Sequence, residues 1–393
     1  MYRFKSVLIG MLSIALIGML FSCSEEAEAD DATLEQRVEA LESKGTSNWP
    51  KLTGAIQYDM GMYSEDLAAA GLTDNTEFRR VRLGTAGEID GRGYKLDIEV
   101  SGTAKLKDAY ITRTIGELWG IEITTGQHKA PTSINENTAP ENITFMERAT
   151  PSDVSATAMG GRRLGTSAIL NIPNVFVQGG IFGNEHDSTG TNQWSWNTRT
   201  MVTIGDGIGV GGSYAQLTDL EGSTDHSITY TGTGESNIDV TNVKRTTGAI
   251  TTQAATHMAV SAMFTQGPIH AQGEYFKQQL DVSDTVERNF SGYYGQAGFF
   301  ITGENRTWDQ RHATWDAVTP KGKWAIEVAG RYSMQDYTDG TAIVGGEQTA
   351  MTAALNLYSG PAKIGFNITQ VEHDTANVGD DHTFIGVRTQ LAF

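Results

Sequence analysis

Residues 380–393 read DDHTFIGVRTQLAF. Ile385, Val387, Leu391 and Phe393 fall on one face of an extended chain, interrupted only by Thr389, while Arg388 and Gln390 fall on the other beside Phe384. An alternation of this kind is a strand with one apolar and one polar face. Soluble domains usually fray into polar residues at their ends, so a strand carried to an aromatic final residue suggests that the terminus is itself needed.

The same period of two recurs along the chain. In LTGAIQYDMGMY (52–63), Leu52, Ile56, Tyr58, Met60 and Met62 alternate with Thr53, Gln57 and Asp59. YKLDIEVS (94–101), KWAIEVAGRY (323–332) and AKIGFNIT (362–369) repeat the pattern. Sandwiches also alternate, but the connections are more informative. Short turns at Gly205–Gly207, Asn171–Asn174 and Ser359–Pro361 trade places with long polar segments near 64–77, 183–193, 218–244, 281–289, 335–347 and 372–381. Strands of about ten residues, with short turns at one end and long loops at the other, describe an outer-membrane barrel. The expected fold is an all-β transmembrane antiparallel barrel of about sixteen strands, an even number as in single-chain bacterial barrels. Residues 303–322 fit poorly as one of its short turns. In lipid every backbone N–H and C=O must be paired, so the last strand is expected to close on the first.

The 393 residues carry a formal charge of -18, with 45 glycines, 8 prolines and one cysteine. A single cysteine excludes a disulfide scaffold and a multi-cysteine metal site. The acidic balance argues against nucleic acid as a partner. Arg3 and Lys5 precede the apolar run VLIGMLSIALIGMLF (7–21), which is too short for a comfortable helical span and suits a signal peptide. Two cleavage readings stand. LFSC places Cys23 where a bacterial lipoprotein is lipidated, giving a signal over 1–22, and an A-x-A site gives cleavage after Ala29. Residues 23–48 form an acidic periplasmic segment in which Leu34, Val38 and Leu41 mark a short coiled-coil helix or a solvated amphipathic one. The barrel is expected over 49–393, and no other stretch reads as a helix.

The residues resemble the phosphate-selective porins O and P. The likeness runs through FRRVRLG (78–84), KLKDAYIT (105–112), GQHKAP (126–131), ITFMER (143–148) and GRRLG (161–165). It continues in GENRTWD (303–309), PKGKWAIEVAGRYS (320–333), GGEQTAMTAALNLY (345–358) and the final strand. The resemblance implies a homotrimer of sixteen-stranded barrels in the outer-membrane lipid of a Gram-negative bacterium. It also implies an inward-folded third loop and a pore lined by arginines and lysines. In many members the segment before ITFMER reads like TSSKD. Here it is Thr138, Ala139, Pro140, Glu141 and Asn142, so the resemblance implies a weaker phosphate site than the family name suggests.

Passive conduction needs a constriction that replaces part of an ion's hydration without holding it. Between His128 and Arg162 lie over thirty residues of little periodicity, and so long an irregular segment in a compact protein is usually functional or disordered. The candidate pore-lining and anion-binding residues are Arg79, Arg80, Arg82, Lys105, Lys107, Lys129, Arg148, Arg162 and Arg163. Alternation turns Arg80 and Arg82 toward the lumen and puts Arg79 formally on the lipid face at a strand start. The bland alternative for all of them is a rim charge in water or headgroups. Alternation also turns Asp59, Asp97, Glu99, Glu122, Glu274 and Glu327 inward against Arg199, Arg331, Lys363 and Arg388. That nearly balanced tally does not by itself predict anion preference. GIGVGG (207–212) matches G-x-G-x-x-G without the strand–turn–helix setting of a nucleotide site, and reads as turn and wall glycine. No catalytic grouping, metal site or cofactor is expected. The sequence-based expectation is a passive channel for phosphate-like or other small anions. The alternatives are a general or weakly cation-selective porin and a surface adhesin.

Overall fold

The computed structural model describes residues 50–393 apart from 65–73, 117–119, 185–192, 220–226, 239–243, 284, 341–342 and 375–380. The signal segment, Cys23 and the expected coiled-coil helix lie outside the described residues.

Sixteen strands form one closed antiparallel barrel. In chain order they are β1 (Lys51–Tyr63), β2 (Asn75–Ile89), β3 (Arg92–Glu99), β4 (Lys105–Ile115), β5 (Ile121–Lys129) and β6 (Arg162–Ile172). Then come β7 (Val175–Phe182), β8 (Gln193–Ile204), β9 (Ile208–Asp219), β10 (Ala254–Gln266) and β11 (Ile269–Ser283). The remainder are β12 (Val286–Phe300), β13 (Ala325–Asp339), β14 (Ile343–Ser359), β15 (Ala362–His373) and β16 (His382–Ala392). Each pairs with its chain neighbours, and β16 closes on β1 in a register running from Ala55 opposite Ala392 to Tyr63 opposite Phe384. Past the end of β16, Phe393 and Gly54 exchange both backbone hydrogen bonds, at 2.7 and 3.0 Å.

Period-two alternation sets what faces where. Ile56, Met60, Met62, Val260, Phe366, Ile368, Ile385 and Leu391 stand exposed on the outside, a surface that is favourable only against hydrocarbon. Gln57, Asp59, Glu274, Glu327, Arg331 and Arg388 are buried on the inside. The face is inverted relative to a soluble protein, as a membrane barrel requires.

The structure departs from the sequence-based expectation in four places. Gln57 pairs with Arg80 and Tyr58 with Phe78, so Arg79 is the extra residue of a β-bulge. The bulge turns Arg79 off the lipid face that strict alternation assigns it, and its guanidinium meets Glu147 inside the barrel. The segments near 281–289 and 335–347 are mostly ladder rather than loop, because β11 to β14 continue as polar strands past the apolar band. Two helices that the sequence reading omitted, Ile134–Asn137 and Thr150–Met159, lie inside the barrel. Residues 301–324, at the short-turn end, are a long insert that folds back into the lumen and carries a two-residue ladder, Trp308–Asp309 against Thr314–Trp315.

Candidate functional site

The segment joining β5 to β6, residues 130–161, crosses the lumen and is fastened to the far wall. It contains two helices, α1 (Ile134–Asn137) and α2 (Thr150–Met159). Ser133 caps α1 by accepting from the Glu136 amide at 3.0 Å, and Pro151 sits in the first turn of α2, where its missing N–H costs nothing. Glu274 of β11 accepts from Ser133 Oγ, the Ile134 amide and the Asn135 amide at 3.0, 2.8 and 3.1 Å. Asn356 and Lys363, of β14 and β15, donate to the Thr144 carbonyl, both at 2.9 Å. Arg388 of β16 donates to the Met146 carbonyl and to Glu147 at 2.6 Å. Asn197 of β8 holds the Met159 carbonyl at 2.8 Å on the return. The apolar side of the seat is Val154, Ala158 and Met159 packed with Leu217, Tyr230, Phe290 and Tyr337.

Two further inserts share the lumen. In the long segment between β9 and β10, Glu235 is buried. It accepts from Arg331 Nε at 2.9 Å and from Thr352 Oγ1 at 3.0 Å. In the short-turn insert, Trp315 packs with Ile134, Phe176 and Met201. Arg199 donates to the carbonyls of Ala313 (3.0 Å) and His312, with its guanidinium 4.9 Å above the Phe176 ring.

Among the described residues the inserts leave a cavity of about 370 Å³ between the wall of β2 to β8 on one side and residues 137–142 and 309–316 on the other. The wall contributes Arg82, Lys95, Lys129, Arg162 and Arg199, with Asp108 and Glu122. The inserts contribute Glu141, Asp309 and Asp316, with His312. Arg162 forks onto Asp108 at 2.6 and 3.1 Å, the bidentate geometry that makes such pairs strong. Lys95 Nζ stands 3.0 Å from Asp97 and 3.3 Å from Asp108. The cations lie nearer the water: the Lys95 side chain is 32% exposed, against 5% for Asp97 and 7% for Asp108.

Of the nine basic residues read from sequence, Arg82, Lys129 and Arg162 line this cavity. Arg80 is buried and donates to Gln57 at 2.6 Å. Arg79 holds Glu147 through two 2.8 Å bonds. Arg148 is internal to the crossing segment, bonding the Asn135 and Thr138 carbonyls at 2.9 and 3.0 Å and pairing with Glu136 at 3.0 Å. Arg163 holds the Gly160 carbonyl at 3.2 Å. Lys105 is exposed and Lys107 half-buried in β4, and neither lines the cavity. Lys95 and His312 were not among the residues read as candidates. Lys95 lies on the polar face of YKLDIEVS, and that face was its available signal.

Burial opposes ionisation of Glu147, but Arg79 and Arg388 overcome it and hold its carboxyl well below the usual range. Glu136 is held down in the same way by Arg148 and Lys129. These two acids fix the crossing segment and contribute little free charge to the open path.

The family model for phosphate-selective porin O and P matches residues 51–393. The chain belongs to that family. It is an outer-membrane β-barrel of a Gram-negative bacterium. An uncharacterized protein of Caulobacter vibrioides is 29% identical over 329 residues, covering 78% of this chain and 64% of that one. Porin O of Pseudomonas aeruginosa is 37% identical over 70 residues, 17% of this chain and 16% of that protein. This porin thus spans less than two thirds of the length of both curated relatives. Among solved structures, the anion-selective porin from Comamonas acidovorans superimposes with a TM-score of 0.59 at 12% identity, covering 88% of this chain and all of that one. OmpT of Vibrio cholerae, in a loop-deleted form, gives 0.56 at 12% identity with the same coverage. At such identity these likenesses carry the fold alone.

Proposed function

We propose that this porin conducts small solutes passively with a modest preference for anions, set by Arg82, Lys95, Lys129 and Arg162 on one wall of the constriction. The observation that carries the reading is the layering of charge. Asp97 and Asp108 are paired with Lys95 and Arg162 and are the less exposed partners, so the cations present more of their charge to an ion in the water. Local field, rather than the chain's net charge, governs which ion enters. The other six candidate cations act through position: Arg79 and Arg148 hold the crossing segment in place, Arg80 and Arg163 stiffen the wall behind it, and Lys105 and Lys107 stand at the rim.

The permeant class is phosphate-like or other small anions, held weakly. Ala139, Pro140 and Glu141 line the cavity, and they offer no hydroxyl or ammonium to a bound anion. Chloride conductance titrated with phosphate tests this, with feeble block expected and micromolar block refuting it. A general or weakly cation-selective porin is the second reading, favoured by Glu141, Asp309 and Asp316 on the opposite side of the same cavity. The sign of the reversal potential in a salt gradient separates the two.

The same reading carries three expectations from the sequence: a homotrimer, removal of 1–22 with lipidation of Cys23 or cleavage after Ala29, and a short periplasmic coiled coil within 23–48. Family membership supports the first, and residue pattern supports the others.

A further inference from the structure

The short-turn insert places a cluster of charged groups below the constriction. Asp309 and His312 line the 370 Å³ cavity with Glu122 of β5. Gln310 and Arg311 line the next cavity toward the short-turn end, about 680 Å³, with Thr114, Asn174, Phe176 and Thr203. The tip of the insert, residues 309–312, therefore stands between two successive compartments. It is tied to the wall by Arg311, which donates to Glu122 and, at 3.4 Å, to Thr114. His312 Nδ1 bonds Asp309, and its Nε2 lies 3.9 Å from Glu122.

We propose that this tip is a second selectivity element, in which the charge of His312 sets part of the ion preference at the short-turn mouth. The groups facing His312 are Asp309, Arg311 and Asp316 of its own segment and Glu122 of β5. Tyr110 of β4 lies beyond Glu122, and Arg199 of β8 donates to the His312 carbonyl. Arg311 and Glu122 neutralise each other. A protonated His312 neutralises Asp309, whereas a neutral one leaves the tip with uncompensated carboxylates in the ion's path.

Burial opposes protonation of His312, but the carboxylates of Asp309 and Glu122 overcome it and lift the imidazole to about 9. The His312 side chain is 45% exposed to lumen water, so the interaction with a passing ion is that of charges in water. A unit charge about 5 to 10 Å from the path alters each ion's permeability roughly two- to four-fold, less at high salt.

The inference rests on the channel reading above. The test is the reversal potential of the wild-type porin, His312→Gln and His312→Arg in planar bilayers, under a potassium chloride gradient at low ionic strength, at pH 7 and pH 10. In the wild type, the chloride-to-potassium permeability ratio is expected to fall about four- to sixteen-fold between the two. His312→Gln should start at the low ratio and stay there, and His312→Arg should keep the high ratio at both. A wild-type potential that does not move with pH, or an equal movement in His312→Gln, overturns this inference alone. Absence of any wild-type conductance overturns the channel reading and this inference together.

Discussion

Replacing Glu274 by alanine should loosen the crossing segment without unfolding the barrel. Glu274 is buried in β11 and accepts five hydrogen bonds, three from residues 133–135 and two from Ser261 (2.8 Å) and Tyr294 (2.6 Å) of the wall. Hydrogen bonds to a charged group are worth about 1.5–3 kcal/mol each. Lumen water can re-solvate part of what is lost, so about 1 kcal/mol for each of the three loop bonds is a sober figure, about 3 kcal/mol together. That raises the population of loop excursions roughly a hundredfold. The other fastenings, from Asn356, Lys363, Arg388 and Asn197, remain, so the loosening is confined to the first half of the segment. Single-channel recordings should show a larger mean conductance with frequent flicker, and Glu274→Gln, which keeps the shape, should fall between. A Glu274→Ala channel that is folded, heat-modifiable and as quiet and narrow as the wild type would refute the claim that this carboxylate seats the constriction.

Arg82→Glu should move the reversal potential toward cations more than Arg80→Glu, because Arg82 lines the cavity whereas Arg80 lies behind it against Gln57; equal shifts would show that both side chains meet the ion path. Glu141→Lys should strengthen phosphate block of chloride current, since it turns a carboxylate at the constriction into an ammonium; unchanged block would place position 141 outside the anion's route. Deleting Phe393 should lower the heat-modifiable fraction in outer membranes. It removes the two backbone bonds to Gly54 and the ring, which lies where a Cβ on Gly54 would come within 2.6 Å of it; normal assembly would show that the seam holds without it.

The wall was legible because lipid outside and water inside impose a period of two, and most of the sixteen strands keep that period apart from a few bulges. Asp59, Glu274, Glu327 and Arg388 face inward as the alternation requires. What these side chains do there was not legible. Glu274, Lys363 and Arg388 fasten a segment more than a hundred residues away in the chain, and Arg331 holds a residue 96 positions away, so a tally of inward charges counts groups already committed to anchoring. The bulge at Arg79 was hidden for a similar reason, since one extra residue depends on the partner strand's register. The helix α2 did leave a signal, Thr150-Pro151-Ser152-Asp153, which matches the opening of a helix. The insert at 301–324 showed only as a segment too long for its end of the barrel. Trp315 finds partners on β8 and β11, and Arg311 on β4 and β5, that no local pattern reveals.

The reversal potential of the reconstituted wild-type porin at neutral pH, across a tenfold gradient of potassium chloride, bears most directly on the proposed function. The layering of Lys95 and Arg162 over Asp97 and Asp108 predicts a potential of the sign that marks chloride as the more permeant ion, and a chloride-to-potassium ratio modestly above one. A potential of the opposite sign would contradict it, and would assign control of the pore to Glu141, Asp309 and Asp316.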